Sequence, residues 1–318
     1  MATTATLNTK GKDMTLTFLG CGNLGTAILS GILASITESK SQSGSAPDTG
    51  AATPSKFIAC VRRPESEQRI LKAVEHYGEP VTVLKNENIK GVEESDVVIL
   101  GCKPYMIKDV LAVDGMREAL KGKLLISILA GVPATQLEST LYGDSDLPQE
   151  DRCHIVRAMP NTAAVIRESM TVIEISTPPL PAHLNALTDW IFTRIGKVAQ
   201  LPAATMDAST ALAGSGPAFM ALVLEAMADG ALAMGLPRAE AQLMAAQVMR
   251  GTTGMVLNGE HPAILREKVC TPGGCTIGGL LVLEEAAVRG TVSRAVREAA
   301  VVASQLGQGV KGVNGTRH

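Results

Sequence analysis

The sequence is poor in aromatic residues and in unbalanced charge. Only 3% of its 318 residues are aromatic whereas 46% are hydrophobic, so its cores must consist mainly of Ala, Val, Leu, Ile and Met. The net charge is only -2, and the 29 basic and 31 acidic residues are interspersed. Because no surface run of one charge is present, we expect no binding to nucleic acid or to an anionic membrane surface.

Long apolar runs and targeting signals are also missing. No uninterrupted apolar run reaches about 18 residues, the length needed to span a membrane. Residues 1–13 have neither the apolar centre of a secretion signal nor the arginines of a mitochondrial one. These observations predict a globular protein of the cytoplasm that has no membrane partner.

The cysteines show no pairing or metal-site pattern. The six of them, at positions 21, 60, 102, 153, 270 and 275, form no CxxC motif and have no cysteine–histidine spacing typical of a metal site. We therefore expect reduced thiols and no bound metal. Cys60, Cys102 and Cys153 lie beside strand-like runs, which is typical of small buried residues.

A glycine motif is present at residues 18–31, FLGCGNLGTAILSG. Its GxGxxG pattern lies between a predicted strand and a predicted helix, the context of a dinucleotide-binding turn. In this interpretation Gly20 permits the turn, Gly22 lets a pyrophosphate approach the backbone, and Gly25 lets the helix pack on the strand. Free N–H groups of residues 21–24 at the helix N-terminus would hold the anion. The predicted cofactor-binding residues of this turn are Gly20, Cys21, Gly22, Asn23, Leu24 and Gly25.

The end of the second strand indicates which dinucleotide binds. Residues 37–55 are rich in Ser, Thr, Gly, Ala and Pro and are predicted to be a flexible insertion, so the second strand is placed at 56–61, KFIACV. Arg62 and Arg63 follow that strand and no carboxylate does. Two guanidinium groups suit a 2′-phosphate, which favours NADP(H), with NAD(H) as a weaker alternative. The other interpretation is that both arginines are simply solvated at a helix start.

Strand and helix patterns alternate up to residue 201, which predicts a parallel, doubly wound sheet. Further strands are expected at 81–84, 97–100, 124–128, 154–158, 171–176 and 197–201. Ligands bind beyond the carboxyl ends of such strands. Three of these ends carry suggestive residues, at 102–104, 129–131 and 159–162, although each could be ordinary turn chemistry.

After Pro202 the predicted strands end and helices follow, at 205–214, 217–234, 238–257, 262–269, 276–289 and 291–306. In the segment 218–234 only Glu225 and Asp229 are charged. A helix that is apolar almost all round must be buried, so a partner subunit is expected to cover it. We predict a dinucleotide-binding domain over 1–202, an all-helical domain over 203–307 and a disordered tail over 308–318.

Three further motifs are distinctive: LREKVCTPGGCTIGGL at 265–280, GSGPA at 214–218 and MPNT at 159–162. Together they resemble pyrroline-5-carboxylate reductase, an enzyme of proline biosynthesis, and the similarity extends from residue 18 to about 307. The resemblance implies an α/β Rossmann-like domain followed by an all-α dimerisation domain, hence a homodimer, which in some members assembles into rings. Cys275 departs from the small residue, often alanine, that is usual there, and the 37–55 insertion is unusual beside compact members.

The resemblance also implies roles for individual residues. The residues that would line the nicotinamide side are Cys102, Lys103, Pro104 and Ala130. Asn161 would complete the cofactor pocket. The PGGCT turn would bind the substrate, because backbone N–H groups at a helix start can capture a carboxylate. The predicted substrate-binding residues are Gly273, Gly274, Cys275 and Thr276. Thr276 is the predicted catalytic residue, with its hydroxyl meeting the ring nitrogen as positioner and weak donor.

The implied reaction is hydride transfer from NADPH to the C=N carbon of pyrroline-5-carboxylate, which gives proline. A cyclic imine can bind already protonated, so the absence of a histidine with an acidic orienter is compatible with it. Two alternative functions fit the sequence less well. A β-hydroxyacid dehydrogenase needs a lysine base on the first long interdomain helix, and residues 198–267 contain no lysine. A non-catalytic NADP(H) sensor would bind the cofactor without turnover, but it has no use for a carboxylate-binding turn.

Overall fold

A computed structural model of the chain describes residues 13–41, 53–143, 145–308 and 310. The chain forms two compact units, which we call the sheet unit (Met1–Gly214 with Ala300–His318) and the helical unit (Ser215–Ala299). The division falls after Gly214, whereas the predicted one falls after residue 202. The reason is that Met206 is buried in a small apolar cluster with Met159 and Val172 of the sheet unit.

The sheet unit is built on one eight-stranded sheet with the order β3-β2-β1-β4-β5-β6-β7-β8. The strands are β1 Met14–Leu19, β2 Pro54–Val61, β3 Val81–Lys85, β4 Val97–Leu100, β5 Leu124–Ser127, β6 His154–Met159, β7 Ser169–Glu174 and β8 Gly196–Leu201. Every neighbouring pair is parallel except β6 and β7, which are antiparallel. The prediction of a parallel sheet is therefore corrected at this pair. The connection over 160–168 is too short for the crossover that parallel strands need.

Two apolar cores lie on the two faces of the sheet. The alternation of side chains along β4 puts Val97 and Ile99 in one core and Val98 and Leu100 in the other. Helices α1, α2 and α7 contribute to the first core and α3 to α6 to the second. These helices are α1 Asn23–Ser41, α2 Pro64–Val74, α3 Asn88–Glu93, α4 Ile107–Leu111, α5 Met116–Leu120, α6 Ala134–Tyr142 and α7 Ala182–Thr193. A strand buried on both faces explains the continuous apolar sequence of β4.

The loop predicted at 37–55 is shorter than expected at both of its described ends. Helix α1 continues through Ser41, and β2 begins at Pro54. The hydroxyls of Thr37 and Ser39 donate to the carbonyls four residues earlier, both at 2.9 Å, so these polar side chains are accommodated inside the helix. Residues 42–52 of the predicted insertion and most of the predicted tail lie outside the described residues.

The remaining helices follow β8. They are α8 Met206–Ser209, α9 Gly216–Ala233, α10 Arg238–Leu257, α11 Pro262–Val269, α12 Cys275–Glu285 and α13 Val288–Gly307, with a π-helical turn at Thr210–Gly214. Large apolar side chains of the helical unit are exposed in the single chain, among them Leu243 at 70% and Leu257 at 77%. By length and composition alone, the stretch Ala203–Ala233 could cross a membrane, and only 11% of its most apolar window is buried. The helical unit therefore presents apolar surface that the described part of the chain leaves uncovered.

Candidate active site

A cavity of about 450 Å³ opens at the carboxyl ends of β1, β2, β3 and β4. Its lining comes from the turn after β1 (Gly20, Cys21, Gly22), from the end of β2 and the start of α2 (Cys60, Val61, Arg62, Arg63, Ser66), from the segment after β3 (Asn86, Asn88) and from the segment after β4 (Gly101, Cys102, Lys103, Tyr105, Met106, Asp109, Val110). The strand order changes direction between β1 and β4, which is where doubly wound sheets bind ligands.

The glycine turn has the shape that a pyrophosphate needs. Gly20 has a φ of +81°, and a Cβ atom there would lie 2.9 Å from the backbone nitrogen of Cys102. Only glycine therefore lets the turn after β1 pack on the backbone after β4. A Cβ atom on Gly22 would meet nothing within 4 Å, so the backbone faces open space that a phosphate can enter. A Cβ atom on Gly25 would lie 3.3 Å from Cys21 Sγ and 3.6 Å from Phe18 Cδ1 of the strand, so the helix packs tightly there on side chains and not on backbone.

Two of the backbone donors predicted for the pyrophosphate already have partners in the protein. The Cys21 N–H donates to the carbonyl of Cys60 in β2 at 3.1 Å, and the Gly22 N–H donates to the Gly20 carbonyl within the turn at 2.8 Å. The prediction of free N–H groups over 21–24 is thus corrected, because the first bond joins the turn to β2 and the second closes the turn. Helix α1 begins at Asn23, so the groups left free by position are those of Asn23 and Leu24, at the positive end of the helix.

A guanidinium group supports the same turn from α2. Arg69 Nη2 donates to the Cys21 carbonyl oxygen at 3.2 Å. This bond holds the turn and brings a positive charge beside it, which favours an anion there. Arg69 was not predicted from the sequence, because nothing in the spacing between α2 and the glycine motif indicates the contact.

The predicted 2′-phosphate residues lie at the edge of the same cavity. Arg62 and Arg63 are exposed, and among the described residues neither guanidinium has a hydrogen-bond or ion-pair partner. Ser66, Asn86 and Asn88 line the cavity beside them and were missed. The signal for the two asparagines was available, since they follow β3, which neighbours β2 in the sheet.

Three thiols border the cavity and remain protonated. Burial raises the pKa of Cys21 and of Cys60 to about 12, and that of Cys102 to about 11. They place no negative charge beside an anion and are not activated as nucleophiles. All six cysteines are free thiols, and no metal-binding group of three or more acidic, histidine or cysteine residues occurs among the described residues.

The other predicted cofactor residues are distributed unevenly. Lys103 lines the cavity, whereas Pro104, which begins a short 3-10 turn, and Ala130, which packs on the cluster around Met159, do not. Asn161 is buried, and its side chain accepts from the Ala163 N–H at 3.0 Å and donates to the Ala213 carbonyl at 2.9 Å. Its amide group thus ties the loop after β6 to the π-helical turn.

The predicted substrate turn is in the helical unit. Gly274 N–H donates to the Thr271 carbonyl at 3.0 Å, and Gly273 has a φ of +72°, so residues 271–274 form a tight turn that ends as α12 begins at Cys275. The predicted set of four N–H donors is corrected to three, at Gly273, Cys275 and Thr276, because the turn uses the fourth. The structure thus places the predicted residues at or beside the cavity of the sheet unit, in the loops after β5 and β6, where Ala130 and Asn161 lie, and at this turn.

Both halves of the chain match known protein families, and relatives match it over nearly its whole length. Residues 203–306 match the family described as pyrroline-5-carboxylate reductase dimerisation, and residues 15–131 match the family described as NADP oxidoreductase coenzyme F420-dependent. The pyrroline-5-carboxylate reductase of Lophium arboricola is 62% identical, with 100% of both chains covered. That of Neurospora crassa is 52% identical, covering 96% of this chain and 97% of the relative.

Solved structures show the same architecture. A pyrroline-5-carboxylate reductase from Coxiella burnetii is 26% identical, with 93% of this chain and 99% of that one covered, at a TM-score of 0.73. The Plasmodium falciparum pyrroline carboxylate reductase with NADP bound is 23% identical, with 92% and 98% covered, at a TM-score of 0.72. The latter likeness concerns the fold.

Proposed function

The chain belongs to the pyrroline-5-carboxylate reductase family, and on that premise we propose the reaction it catalyses: NADPH-dependent reduction of the C=N bond of 1-pyrroline-5-carboxylate to L-proline, the last step of proline biosynthesis. The observation that carries the proposal is 62% identity over the whole length of a pyrroline-5-carboxylate reductase. The cavity supports it independently, because it has an open glycine turn at one place and, at another, two arginines that have no partner among the described residues.

NADPH, when bound, supplies the hydride for the reduction. The open backbone at Gly22 and the N–H groups of Asn23 and Leu24 are suited to hold the pyrophosphate. Arg62 and Arg63 are suited to hold the 2′-phosphate by charge-assisted hydrogen bonds. NAD(H) lacks that phosphate, so we propose it as the weaker alternative.

The substrate turn performs binding and orientation. The N–H groups of Gly273, Cys275 and Thr276, at the start of α12, are suited to hold the substrate carboxylate. The Thr276 hydroxyl then meets the ring nitrogen and fixes the orientation of the C=N bond. An iminium that binds already protonated needs no further proton from the protein, so orientation is the main contribution of these residues to the rate.

Self-association follows from the dimerisation family matched over 203–306. We propose a homodimer as the basic unit, which can assemble further into rings, and a cytoplasmic location without a membrane partner. The exposed apolar side chains of α9 and α10 support the homodimer, because a second subunit would cover them. Size-exclusion chromatography with light scattering, in buffer without detergent, measures the oligomeric state. A monodisperse monomer would contradict the proposed homodimer.

The reaction is tested by following NADPH absorbance with purified protein and 1-pyrroline-5-carboxylate, and then with NADH in its place. We expect rapid oxidation with formation of proline, and a lower kcat/KM with NADH. A 3-hydroxy acid with NADP+ serves as the comparison substrate and should give no turnover. Tight NADPH binding with no oxidation would support a sensor instead.

A further inference from the structure

The last turn of α13 packs its backbone directly on the loop that follows β5. A Cβ atom on Gly307 would lie 1.8 Å from the carbonyl oxygen of Gly131. A Cβ atom on Gly131 would lie 2.7 Å from the carbonyl oxygen of Ala303 and 2.9 Å from the nitrogen of Gly307. These neighbours are backbone atoms, which cannot rotate away as a side chain can. The contact therefore requires glycine at both positions.

The backbone conformation gives a second reason for glycine in this loop. Gly131 has a φ of +74°, a region that residues with a Cβ atom occupy only under strain. Ala303, one turn before Gly307, is only 5% exposed, although most of α13 is exposed or half-buried. The end of α13 is thus held at one defined place on the loop.

The same loop supports the cavity. The N–H of Ile128 donates to the Leu100 carbonyl at 3.0 Å, so the start of the loop is hydrogen-bonded to the end of β4. Gly101 follows Leu100 and lines the cavity, and its N–H donates to the Leu19 carbonyl at 2.8 Å. Leu19 directly precedes Gly20 of the glycine turn. A displacement of the loop is therefore passed through these backbone hydrogen bonds to the turn proposed to hold the pyrophosphate.

We propose that the last turn of α13 is a positioning element of the cofactor cavity, with Gly131 and Gly307 as its positioning residues. The proposal rests on the proposed function, because the cavity is taken to bind NADPH. The chain returns from the helical unit to the sheet unit at Ala300, so this element is covalently continuous with the unit that carries the substrate turn. Gly307 acts through the backbone of residues 128–131, and Gly131 acts by letting that backbone approach the last turn of α13.

Hydrogen exchange on the wild-type protein, with and without saturating NADPH, tests the proposal. We expect NADPH to slow amide exchange over 20–25, over 128–133 and also over 303–308, while exchange over 288–295 is unchanged. Slower exchange over 20–25 with no change over 303–308 would overturn the proposal. If NADPH slows exchange nowhere, the cavity does not bind it, and the proposed function is overturned as well.

Variants test the coupling directly. Gly307→Ala and Gly131→Ala are expected to weaken NADPH binding or to lower kcat by about 10- to 100-fold, the effect of a displacement near 1 Å. Gly290→Ala, in the same helix, is the matched control, because a Cβ atom there would meet nothing within 4 Å. The NADPH affinity and the kcat of this control variant should stay within about twofold of the wild-type values, because the added Cβ atom displaces nothing.

The double variant distinguishes a shared contact from two separate defects. Gly131→Ala combined with Gly307→Ala should be no worse than the poorer single variant, since either change already breaks the contact. Additive losses, or a Gly307→Ala variant with unaltered NADPH affinity and kcat, would overturn the proposal. Circular dichroism establishes that each variant is folded, and if Gly307→Ala does not fold, the exchange result on the wild type decides.

Discussion

Replacing both arginines at the end of β2 should change which cofactor the protein prefers. Arg62 and Arg63 line the cavity, are exposed and have no partner among the described residues, so Arg62→Ala with Arg63→Ala leaves no buried charge unpaired. Stability should change by no more than about 0.5 kcal/mol per substitution, as for other surface positions. Any large loss of affinity then reports on the ligand and not on the fold.

The size of the loss follows from the exposure of the two groups. A hydrogen bond to a charged group contributes about 1.5 to 3 kcal/mol, and solvent screening favours the lower value here. Two such bonds contribute about 3 kcal/mol, which corresponds to roughly 150-fold weaker NADPH binding. NADH has no 2′-phosphate, so its affinity should fall by less than about threefold, since only screened long-range attraction is lost.

The assay is a titration of the protein with each reduced cofactor, followed by nicotinamide fluorescence at constant ionic strength. Lys72→Ala is the control, because Lys72 is an exposed cation of α2 that does not line the cavity. Higher salt should weaken wild-type NADPH binding more than NADH binding, and the double variant should lose this difference. Equal losses for both cofactors would refute the reasoning and show that the 2′-phosphate is bound elsewhere.

Three further predictions concern single side chains. Thr276→Ala should lower turnover or raise the substrate KM while the Kd for NADPH is unchanged; unaltered kinetics would remove Thr276 from the mechanism. Iodoacetamide at neutral pH should label the exposed Cys275 well before Cys21, whose pKa burial raises to about 12, and L-proline should slow labelling of Cys275; equal labelling rates would contradict this. Arg157 forms an ion pair with Glu174 at 2.8 Å, with side-chain exposures of 7% and 13%. Arg157→Met should lower the free energy of unfolding in urea by about 3 to 5 kcal/mol, because removing the guanidinium leaves the buried Glu174 carboxylate without its partner. Adding Glu174→Leu should recover much of that loss, and a double variant no more stable than Arg157→Met would contradict the reasoning.

Strand positions could be predicted more accurately than strand direction. The apolar run VVIL predicts β4 at 97–100, and the structure has the same bounds, because a short continuous apolar run fits a strand that is buried on both faces. Nothing in the side-chain pattern of β7 distinguishes a parallel from an antiparallel neighbour. Only the short connection from β6, residues 160–168, contained that information.

The site was predictable where it depends on strand ends and motifs. Arg62 and Arg63 follow directly from the end of β2, and Gly20 and Gly22 from the spacing of the glycines. By contrast, Asn86 reaches the cavity from a left-handed conformation with a φ of +59°, which its own sequence does not specify. The internal bonds of the turns at 20–22 and 271–274 were missed for a related reason, since a motif identifies a turn but not which of its N–H groups the turn itself uses.

Transfer of deuterium tests the central claim most directly. NADPH that carries deuterium at one of its two C4 positions is mixed with the protein and 1-pyrroline-5-carboxylate, and the product is analysed by mass spectrometry. With one of the two epimers, we predict proline that is one mass unit heavier with the label at C5, and with the other epimer unlabelled proline. Proline without label from either epimer, or no proline, would contradict direct hydride transfer to the C=N carbon.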